Sequence, residues 1–243
     1  FDYLQKELSY LENIKFTPVF ITQIANAPAS LKDFSRKHNR SAYEDIRTAK
    51  IRNYTYEFIE GDEKLLAFFY EDMHLPYISK RYNGEEIISP FNLIKKSFKK
   101  GGLLFVRDGD KYLSGSVVEL KDGILHPKFI GILNGDIGLL KKDVLSALYS
   151  FYFKFAGENG FKIIDLGLSR ALLNDGVLRY KAKWKTKIGF DKKRSNVFAF
   201  QISKLAEPLK SFMVNNPFIS LENNGLAGNV YLDSQCAISE EEA

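Results

Sequence analysis

Along residues 54–203 the spacing of apolar side chains switches between a period of two and a period of three to four, the marks of strand and helix. Residues 54–59 alternate aromatic and β-branched side chains ahead of a Gly61-Asp62 turn and predict a strand. From Glu63, Leu66, Phe69 and Met73 recur at helical spacing. Pro76, with no N–H and a ring that crowds the preceding turn, predicts a kink or stop, so this helix is expected over about 63–74. Ser89 as cap and Pro90 in the first turn open a second helix with Phe91, Ile94 and Phe98 on one face, ending at Gly101-Gly102. Three runs, 103–107, 112–120 and 124–133, are separated by tight turns at Asp108-Gly109 and Asp122-Gly123 and read as an antiparallel meander. Leu140, Val144, Leu148, Phe151 and Phe155 then form one stripe, predicting the strongest helix of the chain over 139–156. Residues 161–166 and 196–202 predict two further strands with a short helix between them, and upstream the capping box Ser41-Ala-Tyr-Glu44 predicts a basic helix to about Arg52.

The strand after the long helix is expected to lie parallel to the one before it, because a helix connects them. The fold class that follows is α+β, a mixed and largely antiparallel sheet flanked by helices. With no internal repeat and no linker-like stretch, 54–203 is taken as one domain. Residues 1–53 read as a preceding segment, either a support for the domain or a remnant of an upstream half-domain, and 204–243 as an Asn- and Gly-rich extension.

Composition narrows the class. With 45% hydrophobic and 27% charged residues in 243, the chain can bury a core without disulfides or metal, and neither disorder nor a collagen-like repeat fits. One cysteine, Cys236, and three histidines give no internal bridge and no zinc-binding spacing, so no metal is expected and a reducing, cytoplasmic setting is. Cys236 has no base at a recognisable spacing. No apolar run approaches the roughly 18–20 residues of a membrane span. The net charge of +5 is modest but clustered. One group is Arg36, Lys37, Arg40, Arg47, Lys50 and Arg52; the other runs from Arg179 through Lys181, Lys183, Lys185 and Lys187 to Lys192, Lys193 and Arg194. Such groups are either solvated faces or sites for phosphates on a cofactor or a nucleic acid.

Two passages carry a family likeness. DLGLSRALLNDGVLRYKAKW, residues 165–184, is similar to a "D-L-G-x-S-R" stretch followed by "D-G-v-l-x-Y-K-x-x-W", and FYEDMHLPYISKRYN, residues 69–83, to a helix with an "LPY…R" segment. With the order of elements, they resemble the GNAT superfamily of acyl-CoA N-acyltransferases, in the divergent branch that includes the Fem-type peptidyltransferases. The ordinary signature of that superfamily, Arg or Gln followed by Gly-x-Gly or Gly-x-Ala, is absent; the loop in its place, 134–142, has Gly135 and Gly138 without it.

The resemblance implies an N-acyltransferase that moves an acyl group from acyl-CoA, acetyl or longer, to a small or lipid-linked amine. A Fem-type transfer of an aminoacyl group from charged tRNA is the alternative, and a catalytically silent binding protein a third. The donor would lie in a gap between the last meander strand and the next, where backbone N–H groups serve the oxyanion and a helix start takes phosphates. That assigns Gly131, Ile132, Leu133, Asn134, Gly135, Gly138, Lys141 and Lys142 to the donor, although Asp136 puts a carboxylate where a phosphate would lie and a plain turn and cap fits the same loop. Asp165 is the candidate base, Tyr180 the proton donor and Asp175 a substrate carboxylate, each with a structural alternative: a strand-end carboxylate, a packed aromatic and a helix cap. Tyr77, Arg81 and Tyr82 fall on the acceptor side, and Lys181 is placed to hold an anionic acceptor. Glu119 and His126, on the meander strands, are further proton carriers, while Trp184 is expected in the core.

Overall fold

A computed structural model describes residues 14–81, 88–201, 207–222 and 225–232; Tyr82 and Cys236 lie outside the described residues. In chain order come β1 (Ile14–Pro18), β2 (Phe20–Asn26), α1 (Arg40–Ile51), β3 (Thr55–Ile59), α2 (Glu63–Phe68), a π-helical turn (Phe69–His74) and α3 (Leu75–Arg81). They are followed by α4 (Phe91–Phe98), β4 (Gly101–Asp108), β5 (Lys111–Lys121), β6 (Ile124–Ile132), α5 (Ile137–Lys141), α6 (Val144–Glu158) and β7 (Ile163–Arg170). The last are α7 (Gly176–Ala182), β8 (Lys187–Gly189), β9 (Val197–Gln201), α8 (Glu207–Asn215), β10 (Phe218–Glu222) and β11 (Gly225–Asn229). Two compact units divide the chain. One is Ile24–Gly167 with Lys183–Thr186; the other holds 14–23, 168–182 and the described residues from 187 on.

In the larger unit β3, β4, β5 and β6 pair antiparallel in sequence order, and β7 joins β6 parallel, as the helical connection predicts. Alternation gives this sheet two apolar faces. Leu103, Phe105 and Val117 pack with Leu66, Phe69, Met73, Ile94 and Phe98 from the helices that precede the meander. The other face, with Leu104, Val106 and Val118, is covered by α6, whose Ala147, Leu148, Phe151, Tyr152 and Phe155 are buried. Burial of a full side chain of this kind contributes about 1.5–3 kcal/mol, so the two layers dominate the unit's stability.

Three expectations are corrected. First, α1 starts at Arg40 with Asn39 as its cap, not at Ser41: the Asn39 carboxamide accepts from Ala42 N–H at 3.3 Å and donates to Lys183 O at 2.6 Å, a tertiary tie that Ser41 lacks. Second, of the kink or stop expected at Pro76, there is no stop. The turn Phe69–His74 widens to π geometry, with Leu75 N–H bonded to Tyr70 O, and this makes room for the proline ring so that α3 continues to Arg81. Third, the long helix is broken: α5 ends at Lys141, Asp143 takes a left-handed φ of 59°, and α6 begins only at Val144.

The pattern also gave no strands before residue 41. β2 hides because Thr22 and Gln23 occupy buried positions beside Ile21, so polar and apolar residues do not alternate. In the smaller unit β1 pairs antiparallel with β9 and β10 with β11, around a core of Ile21, Ala171, Leu178 and Ile219. Among the described residues no helix is long and apolar enough to cross a membrane.

Candidate functional site

The parallel pairing of β6 and β7 is short. Ile124 pairs with Ile163 and Leu125 with Ile164, and then the register stops. At that point His126 and Asp165 face each other, with His126 Nδ1 3.3 Å from Asp165 Oδ2. The contact is one of proximity: His126 Nδ1 is buried and makes no aligned hydrogen bond. Asp165, 5% exposed, uses Oδ1 to accept Gly167 N–H at 2.9 Å, where Gly167 has φ 81° and turns the strand. On the other side of His126 its partner across the antiparallel pair is Glu119, whose carboxylate is 3.8 Å from Lys100 Nζ.

Glu119, His126 and Asp165 therefore form one row across three strands, on the face of Val117 and Phe105. A bulge in β6 between Pro127 and Phe129 keeps His126 on that face. A neutral imidazole beside a carboxylate can take a proton from an amine and hold it as imidazolium. The sequence named all three residues but gave no reason to join them; the register does.

Beyond the row, β6 is bordered by the π-helical turn. His74, 4% exposed, donates Nδ1–H to Ile130 O at 2.8 Å, leaving Nε2 buried without a hydrogen-bond partner. Burial holds its pKa below the usual histidine range, so the ring is neutral and Nε2 carries a free lone pair. The ring stacks against Phe69 and Tyr70 and meets Phe129 edge-on. Sequence reasoning missed His74, because it falls at helical spacing on an apolar stripe; its place beside the family-like "LPY" segment was the available signal. Gly131 serves this approach: a Cβ there would lie 2.7 Å from Met73 Cβ and 2.8 Å from His74 N.

At the far end of β6 lie the residues that the resemblance assigned to the donor. Ile132 is buried, Leu133 packs on the core, and Asn134 and Gly135 turn the chain with positive φ. Gly135 sits against Pro76 O, 2.4 Å from where a Cβ would be. Gly138 N–H is occupied by the Asp136 carboxylate at 2.7 Å, and Lys141 and Lys142 are exposed beyond it. The loop and α3 together line a cavity of about 380 Å³ bounded by Tyr77, Lys80, Arg81, Gly135, Ile137 and Leu140. Lys80 Nζ donates to Asn134 O at 2.7 Å, and the Arg81 guanidinium donates to the Tyr77 hydroxyl while lying 5.6 Å from the centre of its ring. Tyr77 and Arg81, read as acceptor-side residues, thus meet the loop 134–142 in one basic, apolar-walled pocket.

The remaining candidates belong to the smaller unit. Asp175 Oδ1 accepts Leu178 N–H at 2.7 Å and caps α7; Tyr180 is half-buried on that helix. Lys181 is 5% exposed and donates Nζ–H to Leu168 O at 2.7 Å. Ser169 donates to Gln23 Oε1 at 2.6 Å, and Gln23 Nε2 to Leu178 O at 3.1 Å, a buried polar link that the sequence did not reveal. In the larger unit Lys183 is ion-paired with Asp45, whose carboxyl burial pushes up against the pull of that lysine, and Trp184 is fully buried as expected.

Solved structures share this architecture. L-PGS from Bacillus licheniformis is similar at a TM-score of 0.54 and 12% identity, over 86% of this chain and 67% of its own. The C-terminal domain (DUF2156) of a putative lysylphosphatidylglycerol synthetase from Agrobacterium fabrum gives 0.53 and 11%, over 87% and 68%. FemX gives 0.55 and 13%, over 79% and 63%. The chain spans about two thirds of the length of each. No protein-family model matches the sequence, and no curated protein matches it. At such identities the likeness is one of fold: a GNAT-like fold, with a Fem-type protein among its structural neighbours.

Proposed function

We propose that this chain is a transferase that moves an acyl or aminoacyl group from a phosphate-bearing activated ester to an amine, in the gap where β6 and β7 part. The observation that carries the proposal is the His126–Asp165 contact one position beyond the last paired register of those strands. His126 takes the amine's proton as the nitrogen attacks the carbonyl, and Asp165 stabilises the resulting imidazolium. The tetrahedral adduct then collapses by breaking its bond to the ester or thioester leaving group, which receives the proton from the imidazolium as it departs. From His126 to Ile132 is six residues, or about 20 Å of strand. A donor whose phosphates sit well away from its reacting carbonyl suits that span, with its anionic part at the Lys80 and Arg81 pocket and its carbonyl near the row.

Two donors meet this description. An acyl-CoA thioester is the one the superfamily resemblance implies. An aminoacyl-tRNA is favoured by a specific observation, the closure of the 134–142 loop by its own Asp136, which leaves the Gly138 N–H unavailable to a pyrophosphate. The Fem-type resemblance, with FemX among the structural neighbours, supports the same side. Thermal shift with acetyl-CoA, longer acyl-CoAs and mixed charged tRNA identifies the donor, since a ligand of the native state raises Tm. Mass spectrometry of an amine acceptor then reads transfer. His126→Asn and Asp165→Asn are each expected to lower kcat by about 10²–10⁴; Asn at 165 keeps the acceptor oxygen for Gly167 N–H, so the fold is retained. Full turnover by both variants would overturn the assignment.

A further inference from the structure

A second cavity belongs to none of this. It measures about 730 Å³ and lies on the outer side of α6, between that helix, α1 and the loop 28–36, with α6 and the sheet separating it from the His126 row. That volume is within the roughly 300–1,000 Å³ typical of small-molecule sites.

Its floor is apolar: Phe34, Ile46, Ala49, Phe151 and Phe153 line it, and all are buried. The rings of this floor already have partners. Phe153 stacks on Trp184 at 4.8 Å, Phe34 meets both edge-on, and Phe151 lies against Tyr56. A nucleobase needs an open ring face to stack on; engaged rings beside Ile46 and Ala49 suit an alkyl chain instead. The rim is cationic, with Lys32, Arg36, Lys50 and Lys154 against the single carboxylate of Glu158. Two of these have weak partners, Arg36 with Glu44 at 4.0 Å and Lys154 with Glu158 at 3.9 Å. Ser35, also in the lining, has a buried Oγ with no hydrogen bond.

The wall is preformed. Ser30 and Asp33 close a capping box in the loop, Ala27 N–H bonds Lys162 O at 2.9 Å, and Pro28 O lies 2.7 Å from where a Cβ on Gly157 would be.

We propose that this cavity binds a single-chain anionic amphiphile, its alkyl chain on the Phe34–Ile46–Phe153 floor and its phosphate or carboxylate among Lys32, Arg36, Lys50 and Lys154. Trp184 is the only tryptophan in the chain and packs directly behind that floor, so its fluorescence reports occupancy. The full chain is titrated with dodecyl phosphate and with dodecanoate, each below its micelle concentration, and with dodecanol, inorganic phosphate and ATP. One or both of the two anionic amphiphiles should shift Trp184 emission saturably and raise Tm, identifying the head, while dodecanol and inorganic phosphate bind at least tenfold more weakly. The exposed double variant Lys32→Glu, Lys50→Glu should keep its unliganded Tm and lose at least tenfold in affinity. Ala49→Leu, which fills the floor, should lose the chain-dependent part. The proposal is overturned if neither amphiphile binds, if dodecanol or phosphate alone binds as well, if ATP binds more tightly, or if the charge reversal leaves affinity unchanged. None of these residues touches the His126 row, so the outcome is independent of the transferase reading.

Discussion

His74 shows how one side chain is set by its surroundings. Its Nδ1–H is spent on Ile130 O and its ring is enclosed by Phe69, Tyr70 and Phe129, so protonation of Nε2 would place an unpaired charge in the core. Burial lowers its folded pKa below the unfolded value of about 6.5. Between the two values the unfolded chain binds the extra proton, so this contribution to stability is complete above about pH 6.5 and is lost as pH falls through the folded pKa. Urea denaturation across pH 5 to 8 should therefore show stability falling on the acid side, and His74→Phe should flatten that fall even though it leaves Ile130 O without its donor. An unchanged slope in the variant would place the acid sensitivity elsewhere.

At the scale of elements, the π-helical turn and the end of β6 are fitted to each other through glycine. Gly131 admits Met73 and the His74 backbone, and Gly135 admits Pro76 O. Gly131→Ala forces a Cβ against backbone atoms at 2.8 Å and should destabilise by about 1–3 kcal/mol in urea denaturation. Gly138 behaves differently: it is exposed, its φ is unexceptional, and a Cβ would meet only the Asp136 carboxylate at 3.0 Å. Gly138→Ala should stay within about 0.5 kcal/mol of the parent. A large loss of donor affinity in that stable variant would revive the loop as the phosphate site; no loss supports the Lys80 and Arg81 pocket.

Over the whole larger unit, a distant segment is anchored by one buried ion pair. Lys183 and Asp45 have side chains only 14% and 17% exposed, and Lys183 lies over the Trp184 ring at 5.9 Å. Lys183→Met removes one partner and leaves the carboxylate poorly solvated, which typically costs about 3–5 kcal/mol. Calorimetry should show a large drop in Tm, and adding Asp45→Leu should recover much of it, since an apolar pair of similar volume needs no compensation. If the double variant is no better than the single one, the pair is positioning α1 and not merely neutralising itself.

The order of helices and strands from 54 to 203, apart from the break between α5 and α6 and the short β8, and the parallel relation of β6 and β7 were legible because both depend on local periodicity and on the handedness of a helical connection. The apolar face of α6 was legible for the same reason, and the burial of Trp184 from its residue type. What local pattern could not carry was any feature decided by a distant partner. Asn39 displaces Ser41 as cap because Lys183 O is there to receive it, and Pro76 is tolerated because the turn before it widens. β2 escapes notice because its buried Gln23 is paid for by Ser169 and Leu178 O, far along the chain. The candidate site follows the same rule. Asp165, His126 and Glu119 were visible as residue types, but only the strand register sets them in one row, and only the tertiary fold encloses His74, since a side chain's neighbours across a sheet are fixed by pairing between segments and not by its own sequence.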